Sequence, residues 1–168
     1  MIKRELYMNR IRPFIGGELI KVMTGIRRSG KSVMLELIKE ELAEAGVAPS
    51  QMISINFEDM RYSHLQTATA LHDEIIKRAE GIEGKAYLFF DEIQEVEGWE
   101  KCVNSLRVAL DCDIYITGSN AKLLSGELAT YIGGRYVEFV IYPFSFAEFL
   151  ELYHTIAPSD SIQRSEEH

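Results

Sequence analysis

Gly25-Ile-Arg-Arg-Ser-Gly-Lys-Ser32 matches the eight-residue phosphate-binding loop G-x-x-x-x-G-K-[ST] at every fixed position. A polyphosphate needs several backbone N–H donors converging on it. A chain nearly free of side chains at Gly25 and Gly30 can wrap closely enough to supply them. Gly25, Ile26, Arg27, Arg28, Ser29, Gly30, Lys31, Ser32 and Val33 are therefore the candidate nucleotide-binding residues. Lys31 adds a point charge for the β- and γ-phosphate oxygens, and Ser32 can offer its hydroxyl to a Mg²⁺ on the same oxygens. The helix that begins here turns its positive end towards the anion.

The motif requires an apolar strand before it and an amphipathic helix after it, and both are legible. Leu19-Ile-Lys-Val-Met23 reads as a strand, and Val33, Leu35, Leu37, Ile38 and Leu42 share one side of a helix that Ala45-Gly46 closes. Upstream, Leu6, Met8, Ile11, Phe14 and Ile15 give a loose helical period, interrupted by Pro13 and ended by Gly16-Gly17. This segment is expected to pack beside the nucleotide site. Downstream, Met52 to Phe57 reads as a strand running into Glu58-Asp59, acids that either form a turn or face Mg²⁺ and water. A helix follows over 67–79.

Ala86-Tyr-Leu-Phe-Phe90 is the second decisive run. An uninterrupted apolar stretch belongs to a strand covered on both faces, and this one ends in Asp91-Glu92. Asp91 is the candidate partner of Ser32 around Mg²⁺. Glu92 is the candidate catalytic carboxylate that orients or deprotonates the water attacking the γ-phosphate. Trp99, Cys102, Val103, Leu106 and Leu110 give the apolar stripe of a further helix. Cys112 to Thr117 is a strand whose polar tip, Gly118-Ser119-Asn120, can hydrogen-bond the γ-phosphate or the water. Helical spacing resumes over 121–128, Gly133-Gly134-Arg135 leads into a last strand from Tyr136 to Ile141, and Pro143 stops it. Ser145 can cap a short helix through Glu148, Phe149 and Leu152, before a polar tail over 154–168.

The 168 residues fit one domain of ordinary size, and 46% hydrophobic with 26% charged residues lies near globular averages. No apolar run approaches the length of a membrane span, and Met1-Ile-Lys-Arg-Glu5 lacks the apolar core of a signal peptide, which predicts a cytoplasmic protein. Cys102 and Cys112 stand outside metal-ligand spacing. A net charge of −8 argues against a broad nucleic-acid-binding surface. Lys3, Arg4, Arg10, Arg12, Arg27 and Arg28 nevertheless concentrate positive charge early in the chain, to offset phosphate charge or to sit in solvent.

Taken together these stretches resemble the core of the AAA+ ATPases. More narrowly, the chain is similar to bacterial and archaeal single-core ATPases that read G-x-R-R-x-G-K-S, D-E-I-Q, a Trp, T-G-S, G-R and P-[FL]-S-F-x-E-F. Here these are Gly25 to Ser32, Asp91-Glu-Ile-Gln94, Trp99, Thr117-Gly-Ser119, Gly134-Arg135 and Pro143 to Phe149. The resemblance implies a three-layer α/β/α P-loop NTPase with a mostly parallel five-stranded sheet in the ASCE-type strand order. It implies a helical segment over 1–18, an ATPase core over 19–153 and a polar tail over 154–168. It also implies a Walker A motif at Gly25 to Ser32, a Walker B motif at Leu88 to Glu92, a sensor-1 residue at Ser119 or Asn120, and Arg135 as an arginine finger. Family members continue into a lid and a carboxyl-terminal domain, so the chain is expected to be an amino-terminal ATPase domain without them.

The leading functional expectation is Mg²⁺-dependent ATP hydrolysis that rearranges attached domains or partners. The alternative is a nucleotide-gated switch with slow hydrolysis; a small-molecule kinase is disfavoured by the water-activating Glu92. A homo-oligomer through Arg135, and a DNA or protein partner held by the carboxyl-terminal region, are the expected associations. Arg135 either reaches a neighbour's nucleotide or pairs at home with Glu127 or Glu138.

Overall fold

The computed structural model describes residues 2–119, 123 and 132–143. The apolar runs form five strands, β1 (Ile20–Thr24), β2 (Met52–Asn56), β3 (Ala86–Asp91), β4 (Cys112–Gly118) and β5 (Tyr136–Val140). They pair in the order β2-β3-β4-β1-β5, and every pairing is parallel. β3 and β1 are thus separated by β4. Register brings their ends level: Asn56 lies beside Asp91, Phe90 beside Ile116, and Thr24 beside Gly118.

Helices cover both faces. α1 (Ile2–Ile11) and α2 (Lys31–Glu44) lie on one face, where Tyr7, Met8, Ile11, Met34, Leu35 and Ile38 pack against Met23, Phe89, Tyr115 and Phe139. α3 (Ala68–Ala79) and α4 (Trp99–Ala109) lie on the other, where Leu71, Ile75, Val103 and Leu106 meet Val22, Ile55, Leu88, Phe90 and Ile116. Alternate residues of each strand feed opposite layers, and each fully buried aliphatic or aromatic side chain contributes about 1.5–3 kcal/mol.

Local chemistry sets the helix ends. α2 stops where Gly46 adopts φ 100°, with the Gly46 and Val47 N–H groups donating to the Ala43 and Leu42 carbonyls at 3.1 and 2.9 Å. Thr67 caps α3 by accepting the Ala70 N–H at 3.2 Å. Pro13 ends α1 in a short 3₁₀ turn, and Arg12 then fastens this segment to α2 through Glu41 at 2.6 Å. The expected helices over 121–128 and after Ser145 lie outside the described residues, as do Asn120 and Glu127.

At the amino-terminal end of β1 and β4 the sheet encloses an ion pair. Lys21 and Asp113 are both fully buried and bonded to each other. The Lys21 ammonium also donates to the Gly17 carbonyl at 2.8 Å; Asp113 accepts the Gly16 N–H at 2.8 Å and the Tyr115 hydroxyl at 2.5 Å. Burial pulls the Lys21 pKa below its usual value, with Asp113 opposing that shift. The cluster ties the Gly16-Gly17 turn, and with it α1, to the centre of the sheet.

Candidate functional site

The carboxyl end of β1 passes into the phosphate-binding loop. Gly25 is required by close approach: a Cβ there would fall 2.3 Å from the Ile141 carbonyl oxygen and 2.7 Å from the Ser29 hydroxyl. Gly30 opens α2 at φ 98°, a left-handed conformation natural to glycine, and Arg28 holds φ 64° within the same turn. Ser29 is buried beneath the loop, whereas Ile26, Arg27 and Arg28 lie on its exposed side. The loop faces a cleft of about 490 Å³ lined by residues 27–33 with Glu58 and Glu92.

Lys31 is only 4% exposed, and its ammonium donates to the Gly25 and Ile26 carbonyls at 2.8 and 3.0 Å. Its distance to Glu92 Oε1 is 3.6 Å. The Ser32 hydroxyl donates to Asp91 Oδ2 at 2.6 Å, so the two candidate metal residues meet although one opens α2 and the other ends β3. This pair stands where that cleft adjoins a second one, of about 380 Å³, shared with Asn56, Asp59 and Arg61. Mg²⁺ suits such a place: it takes one or two protein oxygens, completes its shell with phosphate and water, and needs no dedicated cage. The juxtaposed hydroxyl and carboxylate therefore fit that ion.

Glu92 reaches the cleft through its backbone. Neighbouring strand residues point to opposite faces, but Glu92 adopts φ 57° and ψ 53°, turning its side chain to the side of Asp91. Thr117 holds this conformation. Its hydroxyl donates to Asp91 Oδ1 at 2.5 Å and accepts the Glu92 N–H at 2.9 Å, which links β3 to β4 between the two acids. Glu92 Oε2 in turn accepts from Gln94 Nε2 at 2.6 Å and from the Ser119 hydroxyl at 3.0 Å.

Several sequence expectations converge at this cleft. Lys31, Ser32, Asp91, Glu92 and Ser119 come together, with Ser119 turned to Glu92. The acids after β2 divide their work: Glu58 lines the cleft and pairs with Arg27 at 3.1 Å, while Asp59 forms the turn and binds Arg61 at 2.6 Å. The Arg61 guanidinium holds the Asp59 carboxyl below the usual carboxylate value. Arg135 is exposed, and Glu138 is engaged elsewhere, accepting from the Thr24 hydroxyl at 2.7 Å. Thr117 and Gln94 were missed as site residues. Their signals were a polar residue ending an apolar strand and an amide two positions after the paired acids.

The AAA domain family matches residues 18–150, a span holding the loop, both acids and all five strands. This chain belongs to that family. Family membership supports an ATP-binding domain of ATPase type. An uncharacterized protein of Haemophilus influenzae is 48% identical over 150 residues, 89% of this chain and 38% of that protein. One from Methanocaldococcus jannaschii is 41% identical over 133 residues, 79% of this chain and 28% of its own length. This AAA domain thus spans well under half of either relative. Among solved structures, AMPPCP-bound DnaA from Aquifex aeolicus aligns with TM-score 0.61 at 13% identity, covering 96% of this chain and 56% of that one. The Walker-type ATPase of Pyrococcus abyssi aligns with TM-score 0.59 at 19% identity, covering 99% and 63%. At such identities the likeness is one of fold. Among the described residues no helix is long and apolar enough to cross a membrane.

Proposed function

We propose that this domain is a cytoplasmic Mg²⁺-dependent ATPase whose hydrolysis of ATP rearranges attached domains or partners. The observation that carries the reading is the meeting of Lys31 with Glu92 and of Ser32 with Asp91, from the end of β3, the residue after it and the start of α2, beside the cleft bounded by the phosphate-binding loop. The loop N–H groups bind the polyphosphate, and Lys31 exchanges its neutral carbonyl acceptors for phosphate oxygens. That movement withdraws the ammonium from Glu92, leaving a carboxylate beside the cleft to orient the attacking water and take its proton. Ser32 and Asp91 would hold Mg²⁺, which would supply charge neutralisation for the phosphates.

Arg135 fits a role across an interface: it is exposed, follows two glycines of positive φ, and among the described residues is held only through its backbone, to Ile20 and Ile132. A guanidinium on a neighbour's γ-phosphate accelerates phosphoryl transfer by roughly 10³-fold or more. The slow-switch alternative is favoured by one observation, the resting contact of Lys31 with Glu92. Phosphate release from the intact protein tests both. Turnover that rises more steeply than protein concentration, and partial recovery on mixing Arg135→Ala with Glu92→Gln chains, is the outcome expected for a multisubunit ATPase. Less than one turnover per bound nucleotide over many minutes, unchanged by mixing, favours the switch.

A further inference from the structure

We infer that Gln94 is a positioning residue for Glu92, fixing one carboxylate oxygen so that the other serves the water; this rests on the proposed role of Glu92. Gln94 Nε2 donates to Glu92 Oε2 at 2.6 Å and stands 3.5 Å from the Ser119 hydroxyl, which reaches the same Oε2 at 3.0 Å. Oε1 carries neither bond and faces Lys31 at 3.6 Å. Two donors on one oxygen, with the Glu92 N–H pinned to Thr117, leave the carboxylate a single orientation. When Lys31 turns to phosphate, Oε1 is the oxygen left facing the cleft.

The amide orientation follows from chemistry. An ionised carboxylate only accepts hydrogen bonds, so the nitrogen of Gln94 must face it. The amide oxygen is then buried, and among the described residues it finds no hydrogen-bond partner. A glutamine placed for stability alone would satisfy both ends; among the described residues this one leaves its acceptor unmatched and gives its donor to Glu92. Space for that oxygen depends on the neighbouring strand, because a Cβ on Gly118 would lie 2.9 Å from it. A neutral donor also suits a general base. A lysine here would hold the carboxylate ionised and weaken it as a base, whereas a second acid would compete with it for a proton.

Phosphate release by the intact protein, with ATP titration and an unfolding curve on each variant, tests the inference. Gln94→Leu removes the donor, and kcat should fall about 10-fold while ATP affinity stays within about 2-fold. Gln94→Glu keeps size and shape but puts a like charge in place of the donor, so it decides the matter should Gln94→Leu lower the unfolding midpoint: kcat should fall at least as far as in Gln94→Leu, again with ATP affinity within about 2-fold. Parent-like kcat for both variants, or a loss carried by ATP affinity with kcat unchanged, overturns the positioning role. Glu92→Gln, run beside them, separates the two ideas: inactivity there with unaffected Gln94 variants rejects only Gln94, whereas parent-like turnover of Glu92→Gln rejects the underlying reading.

Discussion

The sheet has, near each of its two ends, a lysine close to a carboxylate, and the two pairs are built in opposite ways. At the amino-terminal end Lys21 and Asp113 are fully buried, bonded to each other, and completed by Gly16, Gly17 and Tyr115. At the carboxyl-terminal end Lys31 and Glu92 stand 3.6 Å apart beside an open cleft, with Glu92 in a left-handed backbone conformation. The first pair is saturated. The second is held at arm's length by Gly25, Ile26, Ser119 and Gln94, groups whose bonds an arriving anion can replace or reorganise. A charge pair that stabilises is closed against exchange of partners; one that works must give up its partner cheaply.

Removing one charge from the closed pair should produce the largest effect. Asp113→Leu strands a buried ammonium and should lower unfolding free energy by about 3–5 kcal/mol in urea titration. Adding Lys21→Met on the same chain should restore much of it, since two apolar groups leave no charge uncompensated. Equal losses in the single and double variants would erase the distinction between the ends. Lys31→Ala at the open end should reverse the pattern. ATP affinity drops about 10- to 100-fold, the value of one or two charge-assisted hydrogen bonds, while the unfolding midpoint barely moves. A large stability loss would mean that the open pair is structural as well.

A smaller, pH-dependent effect marks the closed end. Burial, aided by Asp113, pushes the Cys112 thiol from 9.0 up to about 11. The folded state then holds a proton that the unfolded state releases, so this thiol's contribution to stability is present below pH 9 and is lost as pH rises towards about 11. Cys112→Ser should flatten that part of the stability curve. An unchanged slope would place the titrating group elsewhere.

Much of this was written in the sequence because its physics is local. The loop from Gly25 to Ser32, the apolar run ending in Asp91-Glu92, and the strand ending at Thr117-Gly118 each announce an element and what it ends in. Strand edges fell within about a residue of the pattern, and Ala45-Gly46 closed its helix as spacing suggested. Hidden from the sequence were relations across strands. Thr117 bridges Asp91 and Glu92 only because β4 lies between β3 and β1, and no periodicity states that order. Lys21 and Asp113 stand as lone charges in apolar runs, and only the parallel register brings them together at one end of the sheet. Gln94 was visible as a letter in D-E-I-Q, but its target needed the turn that Glu92 makes at φ 57°.

The proposed function makes the open end a site of ATP hydrolysis in which Glu92 works on water. Glu92→Gln keeps the shape and removes the basic carboxylate, so Mg-ATP affinity by calorimetric titration and steady-state phosphate release should be measured on parent and variant under identical conditions. Equal affinity, within about 2-fold, and turnover lower by about 10²-fold or more in the variant are expected. Parent-like turnover by Glu92→Gln, or a parent protein that binds no Mg-ATP, would contradict it.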